Sequence, residues 1–406
     1  GIHPVGPQPP KAIENATRAF TTLLEHQEND TLTQEEIQIA AATLSHAVAH
    51  LSLAFEGFFE YATDFVETVD FEIITATQPL IPAEEPLRTL LSRIESKFAQ
   101  ERPLQNVHAH PAATVFPGAL PDDATTTNLT KNINATYAGR SATYIYSNPS
   151  EPRWESTGYY AAPGASVFVT LPESALGYDI DLLIGSHTDW LWAKESIERF
   201  PQITRTYAIK EVRTEIRSAF GGFVYIRIPE GTELGTLSVD FEGGYLAPTF
   251  YEGETSVTEW QNTIRHYPGP WAELVSDKFV LTFPSNLAKT LDNPDEVMAF
   301  WNDSLDAASD LEASSHERAR AERFVLDEQI SVGWMHSGYP LMAFIEANEE
   351  FLDLDYIFEN SIWGPFHELG HNHQAEEWLL PGTTETTCNL WSTYMTENIL
   401  QMSLEE

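Results

Sequence analysis

The sequence predicts a multidomain α+β protein: an N-terminal helical region, a β-sandwich, and a C-terminal mixed domain built around a metal-ligand helix. Three observations predict it. Before residue 105, apolar residues recur at three- and four-residue spacing. Between 153 and 264 they recur every second residue, with Gly and Pro turns between the runs. After 265 both spacings occur, and "HELGH" at 367–371 sets two histidines and a glutamate on one helix. At 406 residues the chain is long enough for two or three domains.

Residues 1–105 form the helical region. A Pro-rich arm, 1–11, precedes it. Thr33 and Glu36 have capping-box spacing. Ile37, Ala40, Ala41, Leu44, Val48, Leu51, Phe55, Phe58 and Phe59 then mark one helical face, and a second helical segment lies near 84–100. Residues 106–152 are rich in Thr, Asn and Pro with little periodicity, and read as a linker. Residues 153–264 read as the sandwich: "YDIDLLIG" alternates Tyr178, Ile180, Leu182 and Ile184, and "FVYIRIP" and "TLSVDFEG" repeat the pattern. In residues 265–406, "PDEVMAFWNDSLDAASDLEA" is helical with Pro294 near its start, and "ISVGWMHSGYPLMAF" is a strand-turn. "SIWGPFHELGHNHQAEEW" is a helix entered through Pro365, and "TTETTCNLWSTYMTENIL" is another.

The charge balance is strongly acidic: 61 Asp and Glu against 22 Lys and Arg, a net charge of −39. Such a surface repels nucleic acid and anionic lipid, which removes both from the expected partners. Cys388 is the one cysteine, so an intrachain disulfide is impossible. No run of eighteen apolar residues is present, so no transmembrane segment is expected. The sequence starts without Met, which reads as processing or trimming. Five N-x-S/T sequons, at Asn15, Asn29, Asn128, Asn134 and Asn302, are N-glycosylation candidates. They favour a secreted, extracellular protein; a cytoplasmic or membrane-peripheral one is the alternative. The oligomeric state has no signature in the sequence.

His367 and His371, at i and i+4, reach one metal ion from the same helix face, and Glu368 reaches the water on it. This is the HExxH arrangement of zinc peptidases. His46 and His50 share the spacing but lack the glutamate and a third ligand. For the third ligand, the HExxHxxGxxH pattern fails, because Gln374 and Glu377 stand where Gly and His are needed. His373 points elsewhere on the helix, and Glu376 and Glu377 continue it away from the metal. "LLPGTT" ends the helix at Pro381 and Gly382 and reverses the chain, placing Glu385 in the first turn of the next helix, facing back. Two histidines from one helix and a glutamate from the next is the gluzincin plan, so the C-terminal domain reads as a gluzincin-type zinc metallopeptidase domain. It holds one Zn2+ ion on His367, His371 and Glu385, with Glu368 as the base. Asn389, one turn after Glu385, is a candidate to hydrogen-bond a ligand. His336 and Tyr339, in a strand about thirty residues before the motif, and Tyr394 are candidates for oxyanion or substrate contacts.

These residues resemble a known family. "WGPFHELGHNHQ" followed by "GTTETTCNLW" is similar to the enhancin-like, mucin-degrading gluzincin metallopeptidases (the M60 family), in the branch that includes the TRP-channel-associated factors of animals. "STGYYAAPG", "IGSHTD", "FGGFVYIRIP" and "YLAPTFYEGETSVTEW" resemble the sandwich that precedes the catalytic domain there, and "PGPWAEL" and "ISVGWMHSGYP" resemble parts of that domain. The resemblance covers about 154–406; residues 1–105 have no part in it. It implies zinc on His367, His371 and Glu385, with Glu368 as base. It also implies hydrolysis of O-glycosylated, mucin-like proteins, with the sandwich helping to bind the glycoprotein or O-glycosylated peptide. The sequence ends 21 residues after Glu385, where the family's catalytic domains continue with a helical subdomain, so a truncated C-terminal part is expected. The channel-associated branch also keeps a second reading open, a non-catalytic binding, structural or channel-regulator-like protein that retains its zinc site.

Overall fold

The computed structural model describes residues 10–50, 58–68 and 72–403. Most of the Pro-rich arm, and the periodic positions Leu51 and Phe55, lie outside them. Four helices open the fold: α1 (Pro10–Asn29), α2 (Gln34–His50), α3 (Phe58–Thr68) and α4 (Pro86–Glu101). The capping box closes as its spacing predicts. The Thr33 N–H donates to Glu36 Oε2 at 2.8 Å, and the Glu36 N–H donates to Thr33 Oγ1 at 3.3 Å. Phe20 and Leu23 of α1, Leu44 and Val48 of α2, Phe65 of α3 and Leu90 and Ile94 of α4 share one core.

Two antiparallel sheets form the sandwich. One runs β1 (Leu129–Tyr137), β8 (Thr232–Glu242), β3 (Val167–Thr170), β6 (Arg213–Ile216). The other runs β5 (Arg205–Ala208), β4 (Asp181–Ile184), β7 (Gly222–Ile228), β2 (Arg153–Ala161), β9 (Tyr245–Leu246). Ile180, Leu182 and Ile184 face the core between the sheets as their alternation requires, while Tyr178 stays 44% exposed.

The linker expected over 106–152 is corrected here. Ile133, Ala135 and Tyr137 alternate into the sandwich core, and β1 pairs with β8 from Leu129↔Phe241 onward. The exposed face of β1 carries Thr and Asn, and that composition hid a period of two. Earlier in the same stretch, Ala112, Ala113 and Phe116 pack with Tyr160, Phe223 and Trp271 on the outer face of the second sheet. The sandwich also ends sooner than 264, since β10 (Thr249–Tyr251) already belongs to the next sheet.

That third sheet is mixed: β10, β11 (Trp271–Val275), β12 (Phe279–Pro284), β13 (Glu322–Asp327), β15 (Leu341–Phe344) and, at its edge, the antiparallel β14 (Met335–His336). The helices Pro294–Glu312 and Trp363–His373 pack on it through Trp301, Phe300, Phe366 and Leu369. Buried arginines join this sheet to the sandwich. Arg199 grips Asp327 through two bonds of 2.7 Å, and Arg323 meets Glu273 at 2.7 Å while donating to Ser156 Oγ at 2.9 Å. Removing one partner of such a pair strands a buried charge, at a cost of about 3–5 kcal/mol. No described helix is long and apolar enough to cross a membrane.

Candidate metal centre

The helix Trp363–His373 carries Pro365 in its first turn, where its missing N–H breaks no intrahelical bond. One turn apart on this helix, His367 and His371 bring their Nε2 atoms to 3.1 Å of each other. Glu385, in the short helix Thr384–Thr387, places Oε2 3.2 Å from His367 Nε2 and 3.3 Å from His371 Nε2. Metal–ligand bonds of about 2.0–2.1 Å in a tetrahedron give donor–donor edges of about 3.3–3.4 Å. The three atoms therefore already stand at the spacing of a triangular face around one ion. The donor set fits zinc.

The far side of each ring is also fixed. His367 Nδ1 lies 2.6 Å from Asn389 Oδ1, and the Asn389 amide donates to the Glu385 carbonyl at 2.8 Å. His371 Nδ1 lies 2.9 Å from Gln374 Oε1, and the Gln374 amide donates to Thr384 O at 2.7 Å and to Thr387 Oγ1 at 2.6 Å. Each amide spends its N–H groups on acceptors, so its oxygen faces the imidazole. Each imidazole then carries its proton on Nδ1 and keeps Nε2 free for a metal. Gln374 does this because the helix ends at His373; Glu376 and Glu377 do not prolong it but form a single turn, Glu376–Trp378, tied by the Glu376 N–H to Thr143 O at 2.9 Å. Nothing local in the sequence marks Gln374 for this role; its relation to His371 depends on that helix end.

Glu368 is 9% exposed. Burial pushes its carboxyl above the ordinary carboxylate value, with His371 and His367 pulling against the shift. Cys388 Sγ lies 3.5 Å from His367 Nδ1 and 3.7 Å from Nε2. Near-equal distances set the sulfur against the imidazole ring, off the line of the Nε2 lone pair. It packs the ring and does not complete the donor triangle.

His336 sits at the sheet edge, with Nε2 2.8 Å from Asp189 Oδ2 and Nδ1 2.8 Å from the Ser337 carbonyl. Both partners only accept, so both ring nitrogens donate and the ring is an imidazolium. Burial alone would lower its pKa, but the bond and charge of Asp189 outweigh this and raise it. With both N–H groups taken, His336 acts on Glu368 as a nearby charge and cannot donate to a substrate oxygen. Tyr339 is corrected too. It is 4% exposed, its hydroxyl accepts the Trp154 N–H at 3.0 Å, and Arg320 covers its ring at 3.8 Å. Tyr394 packs on the hydrophobic core and shares no side-chain bond with the metal-site residues among the described residues. His46 and His50 meet edge-to-face on α2, their ring centroids 4.6 Å apart, and they are not part of a metal-binding group among the described residues.

Tyr146, which the sequence left unmarked in the expected linker, reaches the site. Its ring lies edge-on to His371 at 5.6 Å, and its hydroxyl is 3.1 Å from Thr384 Oγ1. Two arginines hold its turn: Arg140 donates to Ser147 Oγ at 2.8 Å and to Asn372 O at 2.7 Å, and Arg320 donates to Ser147 O at 2.6 Å. Behind the metal helix, Asn372 bonds Glu322 at 2.7 Å and pairs with the N–H and C=O of Gly338 at 3.0 and 2.9 Å. Burial would raise the Glu322 carboxyl, but the charges around it, Arg140 first, hold it at about 2.

Of the sequons, Asn15, Asn29, Asn128 and Asn134 are exposed. Asn302 lies within the helix Pro294–Glu312, its amide nitrogen 2.8 and 2.9 Å from the Glu252 carboxylate oxygens, so the atom a glycan would occupy is already engaged.

Residues 243–406 match the family model for Peptidase M60, enhancin and enhancin-like, and residues 122–242 match the one for the N-terminal domain of M60-like peptidases. Over 254 residues, 62% of the chain, it is 39% identical to a TRPM8 channel-associated factor homolog of Xenopus laevis. Over 248 residues, 61% of the chain, it is 39% identical to TRPM8 channel-associated factor 1 of Homo sapiens. The matches span 28% and 27% of those proteins, so the chain covers under a third of their length. IMPa from Pseudomonas aeruginosa, solved in complex with an O-glycopeptide, shares the fold with a TM-score of 0.55 at 13% identity, over 93% of this chain and 46% of that one. Residues 106–406, about three-quarters of the chain, cannot supply a 93% share alone, so the likeness extends into the N-terminal helices.

Proposed function

Residues 122–406 belong to the M60 peptidase family, and from that premise we propose that the protein is a zinc-dependent endopeptidase acting on O-glycosylated, mucin-like proteins outside the cell. The observation that carries the reading is the triangle of His367, His371 and Glu385, with the base-forming Glu368 beside it. A purely structural site has no need of that glutamate. The substrate class rests on the likeness to IMPa, whose solved complex holds an O-glycopeptide.

Zinc bound there would supply a Lewis acid and a water of lowered pKa. The protein's residues do the rest. Glu368, raised in proton affinity by its burial, takes the proton of the attacking water and returns it to the leaving amine. The imidazolium of His336, held by Asp189, counters the negative charge of Glu368 before the proton arrives. Tyr146, its ring edge-on to His371 and its hydroxyl 3.1 Å from Thr384 Oγ1, is the donor this reading assigns to the carbonyl oxygen as charge develops on it.

The test is Glu368→Gln. This variant is expected to bind one zinc with unchanged affinity and to lose cleavage of an O-glycopeptide by at least about 10²–10⁴-fold. Retained turnover would remove Glu368 from the chemistry. The identity to channel-associated factors favours a second reading, a zinc-holding regulator. If zinc-loaded wild-type protein cleaves nothing in a broad glycopeptide panel, that reading replaces the first.

A further inference from the structure

Away from the metal, α2 and α4 meet the loop 186–202 around a cavity of 180 Å³. Sites for drug-sized ligands run to about 300–1,000 Å³; this one has room for a single sugar ring. Its wall differs from a plain packing gap. Arg93 of α4 stacks its guanidinium over the Trp192 ring at 4.2 Å. Burial alone lowers its pKa, with no carboxylate among the described residues opposing the shift. A half-buried arginine with no acidic partner among the described residues is unexpected in a chain with 61 acidic and 22 basic residues. Gln202 accepts the Trp192 indole N–H at 3.1 Å through Oε1, which leaves its amide N–H groups as donors. Trp190 is 49% exposed at the rim. The other cation in the wall, Lys97, is bound to Glu101 at 2.6 Å.

We propose that this cavity binds one acidic sugar residue, its carboxylate on Arg93 and its ring against the Trp190 indole. A guanidinium paired with a carboxylate in a half-dry site makes a charge-assisted bond about twice as strong as a neutral one. An exposed indole offers an apolar face with a polar edge, which suits a pyranose better than a flexible acidic peptide. The loop also reaches the metal site, since Asp189, next to Trp190, holds His336. A glycan seated here would occupy the loop that buttresses the catalytic carboxylate. The inference goes beyond the peptidase reading and does not rest on it, because binding is measurable without turnover.

The experiment uses the full chain, zinc-loaded and metal-stripped, titrated with sialyllactose, lactose and a short poly-glutamate peptide, and read by saturation-transfer NMR. Sialyllactose is expected to bind at least about tenfold tighter than lactose, equally well with and without zinc. Arg93→Gln is expected to erase that preference. Trp190→Ala, at an exposed position whose loss leaves the fold intact, is expected to weaken sialyllactose by a similar factor. Equal or absent binding of the two sugars overturns the proposal. So does a preference unchanged in both variants, or a response to the peptide alone.

Discussion

Asn389 and Gln374 perform one task for two histidines, each pinning the Nδ1 proton so that Nε2 is left free on the side of the candidate metal position. Partners of this kind typically govern metal affinity by about 10–100-fold. Gln374→Ala is therefore expected to weaken zinc by that factor in a chelator competition, while the fold persists; unchanged affinity would show that the His371 ring is held by packing alone. Tyr146→Phe is expected to keep zinc and lower kcat by about 10²-fold with little change in KM, as removal of an oxyanion donor does. The two substitutions also mark what single residues revealed in the sequence. His367, His371 and Glu368 were legible because helical geometry fixes their spacing, and Glu385 because Pro381 and Gly382 announce the reversal. Asn389 was legible as one turn beyond Glu385. Tyr146 and Asp189 were not, because only long-range folding brings them to the site.

At the scale of elements, the centre depends on how closely two helices approach. Gly370 lies between the two histidines on the metal helix, and a Cβ there would run into the Cys388 carbonyl. Gly370→Ala is expected to push the Glu385-bearing segment away and lower zinc affinity by more than tenfold, an outcome that equilibrium dialysis reads directly; unaltered affinity would mean that the segment shifts without losing the ligand. Elements also differed in how openly the sequence declared them. Strands such as β4 and β7 are unambiguous because they are nearly continuous runs of aliphatic and aromatic residues, buried on both faces. β1 alternates cleanly, but "NLTKNINATY" offers Ile133, Ala135 and Tyr137 against a background of Asn and Thr, and its composition outweighed its period. The capping box at Thr33 needed nothing beyond local chemistry, and it formed as read.

For the molecule as a whole, acid is the condition to examine. His187, wedged between Phe116 and Trp271, and His110, against Phe200 and Phe220, are pushed down by burial to about 4 and about 3 from an ordinary 6.5. Their folded values lie below their unfolded ones, so the unfolded chain takes up protons first. The stability they contribute is complete above about pH 6.5 and is lost as the pH falls toward their folded values. Each removes up to about 1.4 kcal/mol per pH unit inside that window. Melting temperature is expected to drop between pH 6.5 and 5.5, above the range where most carboxylates titrate. A flat profile there would mean that neither ring is buried in its neutral form.

The turn that carries Tyr146 bears on descent as well as chemistry. Arg140 and Ser147 belong to the stretch matched by the N-terminal module, yet their bonds end on Asn372 and Arg320 of the peptidase module. Asp189, from the same first module, sets the charge state of His336 in the second. The boundary between the modules therefore divides the chain but not the candidate metal site. A shuffling event that joined the peptidase half to another sandwich would inherit the candidate metal ligands and lose the turn and loop that brace them. The two halves are a single heritable unit, and an exchange between relatives can succeed only if it carries the 140–148 turn and the 186–190 loop along with the HExxH helix.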